Sequence, residues 1–399
     1  MRIFLLFAGV WILPLTSAFW YQSPYSVGLS LISQYYIFGL VMIVFILSAL
    51  LSVIYRKKPP INFIRTRFSE DKAMRFHANC IKLWFCIFII EFIASGGAPI
   101  MWDSSRGYGD FGLPTLHGFS NMLRAMIFAH FVLFRFLNFQ MSKRITVLSI
   151  LPLLMALFVE QSRGAFIMTI FFGLSPMLLF MRLSLGKILK TVVLIPILVM
   201  TLSAFQFLRY ADSPTDELLA IVDFVSDYDS ATQKLLMPVF NYIATPALNA
   251  GLTIDTSPLV NFTPNYSFQG LVPSPLRPLI WSMEAGEKDY GELVDEAFNT
   301  STFITPFVKD FGVLGSGLFF FFFFFLCIYT YNKAKCGSII HIIRLPPLVM
   351  CVGLSFFTSY VTSLVTILYL IASGPVARRM MHSRSVSYHS TLNVELAKL

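Results

Sequence analysis

The run ITVLSILPLLMALF (residues 145–158) leads into a short polar turn, VEQSRGA (residues 159–165), and a second run, AFIMTIFFGLSPMLLFM (residues 165–181), leaves it. Two apolar runs around a charged turn predict a helical hairpin in a membrane, with Arg163 at or just inside the boundary. An arginine at bilayer depth costs about 2.5–3.5 kcal/mol on insertion scales, so as a rule it faces a polar cavity. The planar guanidinium is also the side chain best shaped to hold phosphate through paired hydrogen bonds. The plainer alternative is a helix-end arginine whose head reaches the lipid headgroups.

The rest of the chain agrees with a membrane setting. Of its 399 residues 56% are hydrophobic and 13% charged, a balance outside the soluble globular classes. The net charge of +9 is not a nucleic-acid footprint, because the basic residues gather in short connections, the positive-inside pattern. The five cysteines (Cys80, Cys86, Cys327, Cys336, Cys351) fall in or next to apolar runs, which argues against a disulfide framework. No CxxC or histidine pairing suggests a metal, and no cofactor is expected. The first apolar run, Ile3 to Ala18, resembles a signal peptide; Phe19-Trp20-Tyr21, an aromatic interface anchor, favours a retained helix.

The fold class expected is an all-α polytopic integral membrane protein of about ten crossings. Residues 1–208 hold seven, near 3–20, 29–55, 78–95, 118–139, 145–160, 165–181 and 191–208. The loop after Arg56-Lys57-Lys58, running to about 76 with Arg65, Arg67, Lys72 and Arg75, marks the inner side. Residues 209–301 are rich in carboxylates and read as one long outer loop with short helices at 214–227, 230–243 and 289–297. Residues 302–376 hold three more crossings. The first starts near 303, and the apolar stretch 339–374, too long for one crossing at about 1.5 Å per residue, divides near Tyr360. The tail, 377–399, is then cytoplasmic. The run Phe319–Phe325 is read as lipid-facing or packing surface.

The ionisable residues expected near the outer boundary are Glu91, Arg106, His117, Arg124, Arg163, Lys309 and Asp310, with Arg209 and Arg277 from the long loop. Several cations converging on one side of a bundle suit a polyanion, and at headgroup level a ligand with two adjacent phosphates is a lipid pyrophosphate. Arg163, Arg124, Arg277, Lys309 and Arg106 are the candidate substrate-binding cations, and Trp281, Tyr266 and Tyr290 are candidates to stack on sugar rings. Asp310, Glu91 and His117 are the candidates for a base that orients or deprotonates a hydroxyl. Plainer roles stand beside these: Glu91 and Arg124 as a buried ion pair, Lys309 and Asp310 as a local pair, His117 as a helix anchor, Arg106 as loop surface.

Three stretches resemble the Wzy-type oligosaccharide repeat-unit polymerases, the O-antigen polymerases of bacterial inner membranes. They are EFIASGGAP (residues 91–99) with Tyr108 and FGLPTLH (residues 111–117), then Ser162-Arg163-Gly164, then Asn299-Thr300 through Phe307 with Asp310-Phe311-Gly312 and Gly315. The resemblance implies a GT-C-like fold with one long periplasmic loop. It implies transfer of a growing glycan from undecaprenyl pyrophosphate to a second lipid-linked repeat unit at the periplasmic face, without a nucleotide sugar, and the related ligases need no metal. It also implies a chain-length regulator and a flippase of the same pathway as candidate partners. A ligase-like transferase shares these features and differs in acceptor. A polysaccharide or lipid transporter would instead show broken helices at the midplane and cations along a through-membrane path.

Overall fold

The computed structural model describes residues 2–20, 29–55, 61–102, 110–181, 231–273, 276–280, 291–294 and 300–381. Inside a bilayer an apolar chain pairs its backbone internally or not at all. The described residues are accordingly helical, with no strand among them and one isolated bridge, Phe68–Met381. The helices are α1 (Arg2–Trp20), α2 (Leu31–Ile54), α3 (Ile61–Arg67), α4 (Glu70–Ala94), α5 (Leu116–Phe136) and α6 (Lys143–Phe158). They continue with α7 (Arg163–Phe180), α8 (Ala231–Thr256), the short α9 (Arg277–Ile280), α10 (Thr305–Lys335), α11 (Ile339–Gly353) and α12 (Leu364–Met380). Helices α2, α6, α7 and α12 start on Ser30, Ser142, Ser162 and Ser363, each accepting the backbone N–H three residues on.

Among the described residues three segments are long and apolar enough to cross a membrane: Leu31–Ile54, Glu70–Met101 and Thr305–Lys335. Arg2–Thr16, Gly164–Phe180 and Ile339–Gly353 are shorter apolar helices. These are the features of an all-helical membrane protein. The phenylalanine run takes both roles at once: Phe320 and Phe324 are fully buried, against Phe303 and Phe7, while Phe322 is 60% exposed.

Three boundaries differ from the sequence expectation. The basic connection before residue 76 is mostly helix, because the acidic pair Glu70 and Asp71 opens α4 where a positive helix end favours it. The short helix expected at 230–243 is the first half of the 26-residue α8, which runs on to Thr256. Small residues account for that: Ala247 and Ala250 are buried, and at Gly251 a Cβ would lie 2.4 Å from Leu29. Part of the presumed outer loop is therefore a helix packed on α1, α2 and α10. Third, residues 291–294 are not helical. The stretch 339–374 is two helices parted at 354–363. The helices expected at 191–208 and 214–227 lie outside the described residues, as does the tail from 382.

Hydrogen bonds between helix ends define two faces. Ser69 N–H donates to Met380 O (2.8 Å), Arg67 Nη1 to Gly337 O (3.1 Å) and Gln140 N–H to Glu70 Oε1 (2.6 Å). Arg2 reaches Leu178 O, and the Lys333 ammonium lies over the Tyr55 ring. These contacts gather the starts of α1, α4, α6 and α11 with the ends of α2, α5, α7, α10 and α12. Arg65, Arg67, Lys143, Arg144, Lys333, Lys335, Arg378 and Arg379 all sit at this basic face. Glu91, His117, Glu160, Asp255 and Asp310 lie towards the opposite ends of their helices or in the turns there.

Helix α10 is broken at Gly312 (φ 70°, ψ −178°), a conformation essentially reserved for glycine. Residues 258–263 fill the break. Asn261 N–H donates to Phe311 O (3.2 Å) and Thr263 N–H to Asp310 O (2.9 Å), while Val313 and Leu314 donate to Pro258 O and Leu259 O. A Cβ at Gly312 would lie 2.6 Å from Pro258 O, so backbone strain and steric conflict coincide. Gly312→Ala is expected to lose about 1–3 kcal/mol from strain alone, read as a lowered melting temperature in detergent. Gly317→Ala, in the same helix with nothing near its Cβ position, is the control expected to leave melting unchanged or raised.

Candidate functional site

The seam between α4 and α5 carries polar residues at helical repeats. His77, Trp84 and Glu91 recur every seventh position on α4, facing His117, Arg124 and His130 on α5. Seven residues span two turns, about 10 Å, so the seam has three polar levels.

The outermost level is Glu91 with His117. Nδ1 of His117 lies 3.2 Å from Glu91 Oε1, and the Glu91 side chain is 1% exposed against 27% for His117. A carboxylate oxygen accepts, so Nδ1–H donates, and the tautomer that remains offers its lone pair on Nε2. Gly112 roofs the pair at φ 93°: a Cβ there would lie 2.6 Å from Nδ1 and 2.8 Å from Glu91 Oε1. Its N–H is held by Ser95 Oγ (2.9 Å), and the Phe111 ring meets the imidazole edge-on. Phe111 and Gly112 thus form a cover shaped to one imidazole–carboxylate pair.

At the second level Arg124, fully buried, donates through Nη2 to Glu160 and through Nη1 to Asn121 Oδ1 (2.8 Å), with its guanidinium over the Trp84 ring. Helical side chains lean towards the N-terminus, which carries Arg124 up to the α6–α7 turn. That turn is held further by Ile100 N–H donating to Val159 O (3.1 Å) and by Gln161 at φ 54°. The plainer alternative of a Glu91–Arg124 pair is not what the structure shows: Glu91 stands level with His117, two turns from Arg124, which pairs with Glu160. Arg124 is consequently neutralised by Glu160, and its work is to order the turn from which Arg163 begins α7. Glu160 was missed as a candidate, although it and Arg163 are the only charges between Lys143-Arg144 and Arg182. At the innermost level His77 shares a hydrogen bond with Ser149 (2.8 Å), and its ring lies 6.3 Å from that of His130.

Asp310 is also fully buried, but its surroundings differ. Its oxygens accept the N–H groups of Asn265 (3.1 Å), Tyr266 (3.0 Å) and Ser267 (2.7 Å) and the Ser267 hydroxyl. The carboxylate is committed to the backbone of residues 265–267. The Lys309 ammonium lies 4.3 Å from the centre of the Tyr266 ring. The Tyr266 face offered to a sugar by the sequence reading therefore carries a cation. Thr362, just before α12, donates to Ser267 O, and Val365 lies 3.8 Å from a Cβ at Gly118, so the start of α12 stands between the Asp310 cluster and His117.

Arg163 is the first residue of α7 and Arg277 the first of α9; their side chains lie outside the described residues, as do Arg106, Arg209, Trp281 and Tyr290. One contact fixes the height of Arg163. On the closely packed pair α5 and α7, a Cβ at Gly173 would lie 2.5 Å from Phe128. Gly173 is ten residues below Arg163, and Phe128 ten below Gly118. Both helices run towards the basic face, so the first residue of α7 and the His117–Gly118 step stand at nearly the same level, about 15 Å above the contact.

The Arg124–Glu160 pair gives a direct test. Arg124→Met leaves Glu160 as a lone buried charge and is expected to lose about 3–5 kcal/mol of stability. Adding Glu160→Gln should recover a large part of it. Melting of the two single variants and the double checks the coupling, and simple additivity would show the residues to be independent. Comparison with protein-family models, with curated proteins and with solved structures gives no match to this chain.

Proposed function

We propose that the chain transfers a lipid-pyrophosphate-linked glycan onto a second lipid-linked repeat unit at the face opposite its basic helix ends, as an oligosaccharide repeat-unit polymerase of the bacterial inner membrane. The observation that carries this is the level shared by a half-open imidazole, oriented by a buried carboxylate, and the arginine that opens α7. In this reading His117 takes the proton of the acceptor hydroxyl on Nε2, and Glu91 is its positioning residue. The hydroxyl oxygen attacks the anomeric carbon, the bond from that carbon to the pyrophosphate oxygen breaks, and undecaprenyl pyrophosphate leaves with the electron pair. Arg163 and the amide-rich start of α7 meet the charge that builds on the departing diphosphate. Arg124 holds the turn that presents them. Asp310 passes from candidate base to positioning residue, because its lone pairs serve the backbone of residues 265–267. A ligase-like transferase uses the same groups with another acceptor. The break in α10 favours the transporter reading in form, yet the carbonyls of Lys309, Asp310 and Phe311 freed there accept hydrogen bonds from Asn261 and Thr263.

The test is complementation of a deletion strain, with surface glycan read as a ladder. His117→Gln is expected to lower polymer formation by roughly 10²-fold or more, the usual contribution of a general base. Glu91→Gln should lower it less and move the pH profile of turnover in membranes supplied with lipid-linked repeat units. Arg163→Lys should abolish long chains while the protein still inserts, because lysine keeps the charge and loses the fork. Full-length ladders from both His117→Gln and Arg163→Lys would overturn the reading. Loss of all glycan on the acceptor lipid, with lipid-linked polymer retained, would turn it towards ligation.

A further inference from the structure

We infer that residues 258–262, read from sequence as part of an outer aqueous loop, lie in the hydrocarbon of the bilayer beside the break in α10. The side chains point to this first. Leu259, Val260 and Phe262 are 66%, 70% and 79% exposed, three large apolar groups within four residues. They do not stand alone. Leu314 N–H donates to Leu259 O (2.9 Å), which sets Leu259 beside Leu314. Leu314, Leu318 and Phe322 recur every fourth residue and are likewise exposed, so they form one apolar line along α10 that the segment widens.

Depth agrees. Ser316, one turn past the break, shares a hydrogen bond (2.7 Å) with Tyr36, which lies inside the membrane-length α2. The neighbouring α2 residues Leu31, Ile32, Tyr35 and Phe38 are exposed apolar or aromatic groups. The segment therefore enters at a level where both flanking helices already face outwards with hydrocarbon.

The backbone supplies the strongest argument. A loop in water leaves its amides to the solvent, whereas one in lipid must pair them within the protein. Asn261 N–H goes to Phe311 O, Thr263 N–H to Asp310 O, and Phe262 N–H to the Asn261 side-chain oxygen (2.9 Å). The Asn261 amide donates to Lys309 O (2.8 Å), and the carbonyls of Pro258 and Leu259 accept from α10. Polar character returns immediately afterwards, with Thr263 and Asn265 exposed and the Lys309 ammonium on the Tyr266 ring. A cation resting on an aromatic ring is a pairing found at headgroup level. The occupant that fits an apolar band continuous over two helices, beside an edge whose amides at 261–263 are paired within the protein, is the acyl chain of a lipid.

Nitroxide labels at Val260→Cys and Phe262→Cys, with the five native cysteines replaced and the protein in lipid vesicles, test this. Leu318→Cys is the lipid-facing reference and Asn265→Cys the polar one. Labels at 260 and 262 are expected to follow 318, colliding several-fold more with oxygen than with a water-soluble nickel chelate. Nickel access equal to that at 265, or protection from both reagents, would overturn the inference. Phe262→Trp in the otherwise native chain gives an independent reading. Its added fluorescence should be quenched by lipids brominated on their acyl chains and not by aqueous acrylamide; the reverse would overturn it.

Discussion

Hydrocarbon solvates no polar group, and each one left unpaired there costs several kcal/mol. Most of this chain meets that constraint by being helix. The departures from it are where the chain becomes specific. Where α10 breaks at Gly312, residues far away in sequence supply the missing partners, so residues 258–263 and 309–314 form one unit. Where α4 and α5 carry polar side chains into their seam, three have been given companions, His117 for Glu91, Glu160 and Trp84 for Arg124 and Ser149 for His77, while the His130 ring nitrogens have no hydrogen-bond partner among the described residues and the ring stacks on Phe134. A buried arginine without its carboxylate would be far costlier than a leucine in the same place, so the pair exists to hold geometry and contributes little to net stability.

Close packing sets the heights at which these companions meet. Gly173 lets α7 approach the Phe128 ring, and Gly353 lets α11 approach Phe171, a Cβ at either glycine standing within 2.5 Å of the ring. Moving α7 by one turn would shift Arg163 about 5.4 Å along the axis and pull Glu160 away from Arg124. The register of two smooth apolar surfaces is thus coupled to a polar contact that admits only one register. This is the same service that single polar residues perform in helical coiled coils, where they select one alignment among several of similar packing energy.

Much of this was legible in the sequence, and the exceptions have physical causes. Apolar runs and basic connections gave the helical membrane class, because both signals are carried by residues close together in the chain. The extent of α8 was hidden because small residues such as Ala247, Ala250 and Gly251 have low hydropathy and favour close helix contact for another reason, their size. Candidate residues Glu91 and His117 could be named from their apolar surroundings, but their pairing could not, since it depends on which turn of α4 faces which turn of α5. Asp310 was named for its charge at a membrane boundary. Its commitment to the amides of residues 265–267 is a contact more than forty positions away, beyond any local pattern.

The two buried carboxylates then divide by environment. Asp310 accepts from backbone N–H groups that cannot rotate away, so it is a fixed staple for the loop. Glu91 has one oxygen on His117 and a second, Oε2, with no hydrogen-bond partner among the described residues. Its companion is an imidazole, which can carry or release a proton without leaving the contact. A carboxylate bound only to a titratable ring keeps its freedom to follow a charge that forms and vanishes, whereas one bound to three amides does not. Of the two, the Asp310 site is the one that ties the chain together around it, and the Glu91 site keeps one oxygen outside any such commitment.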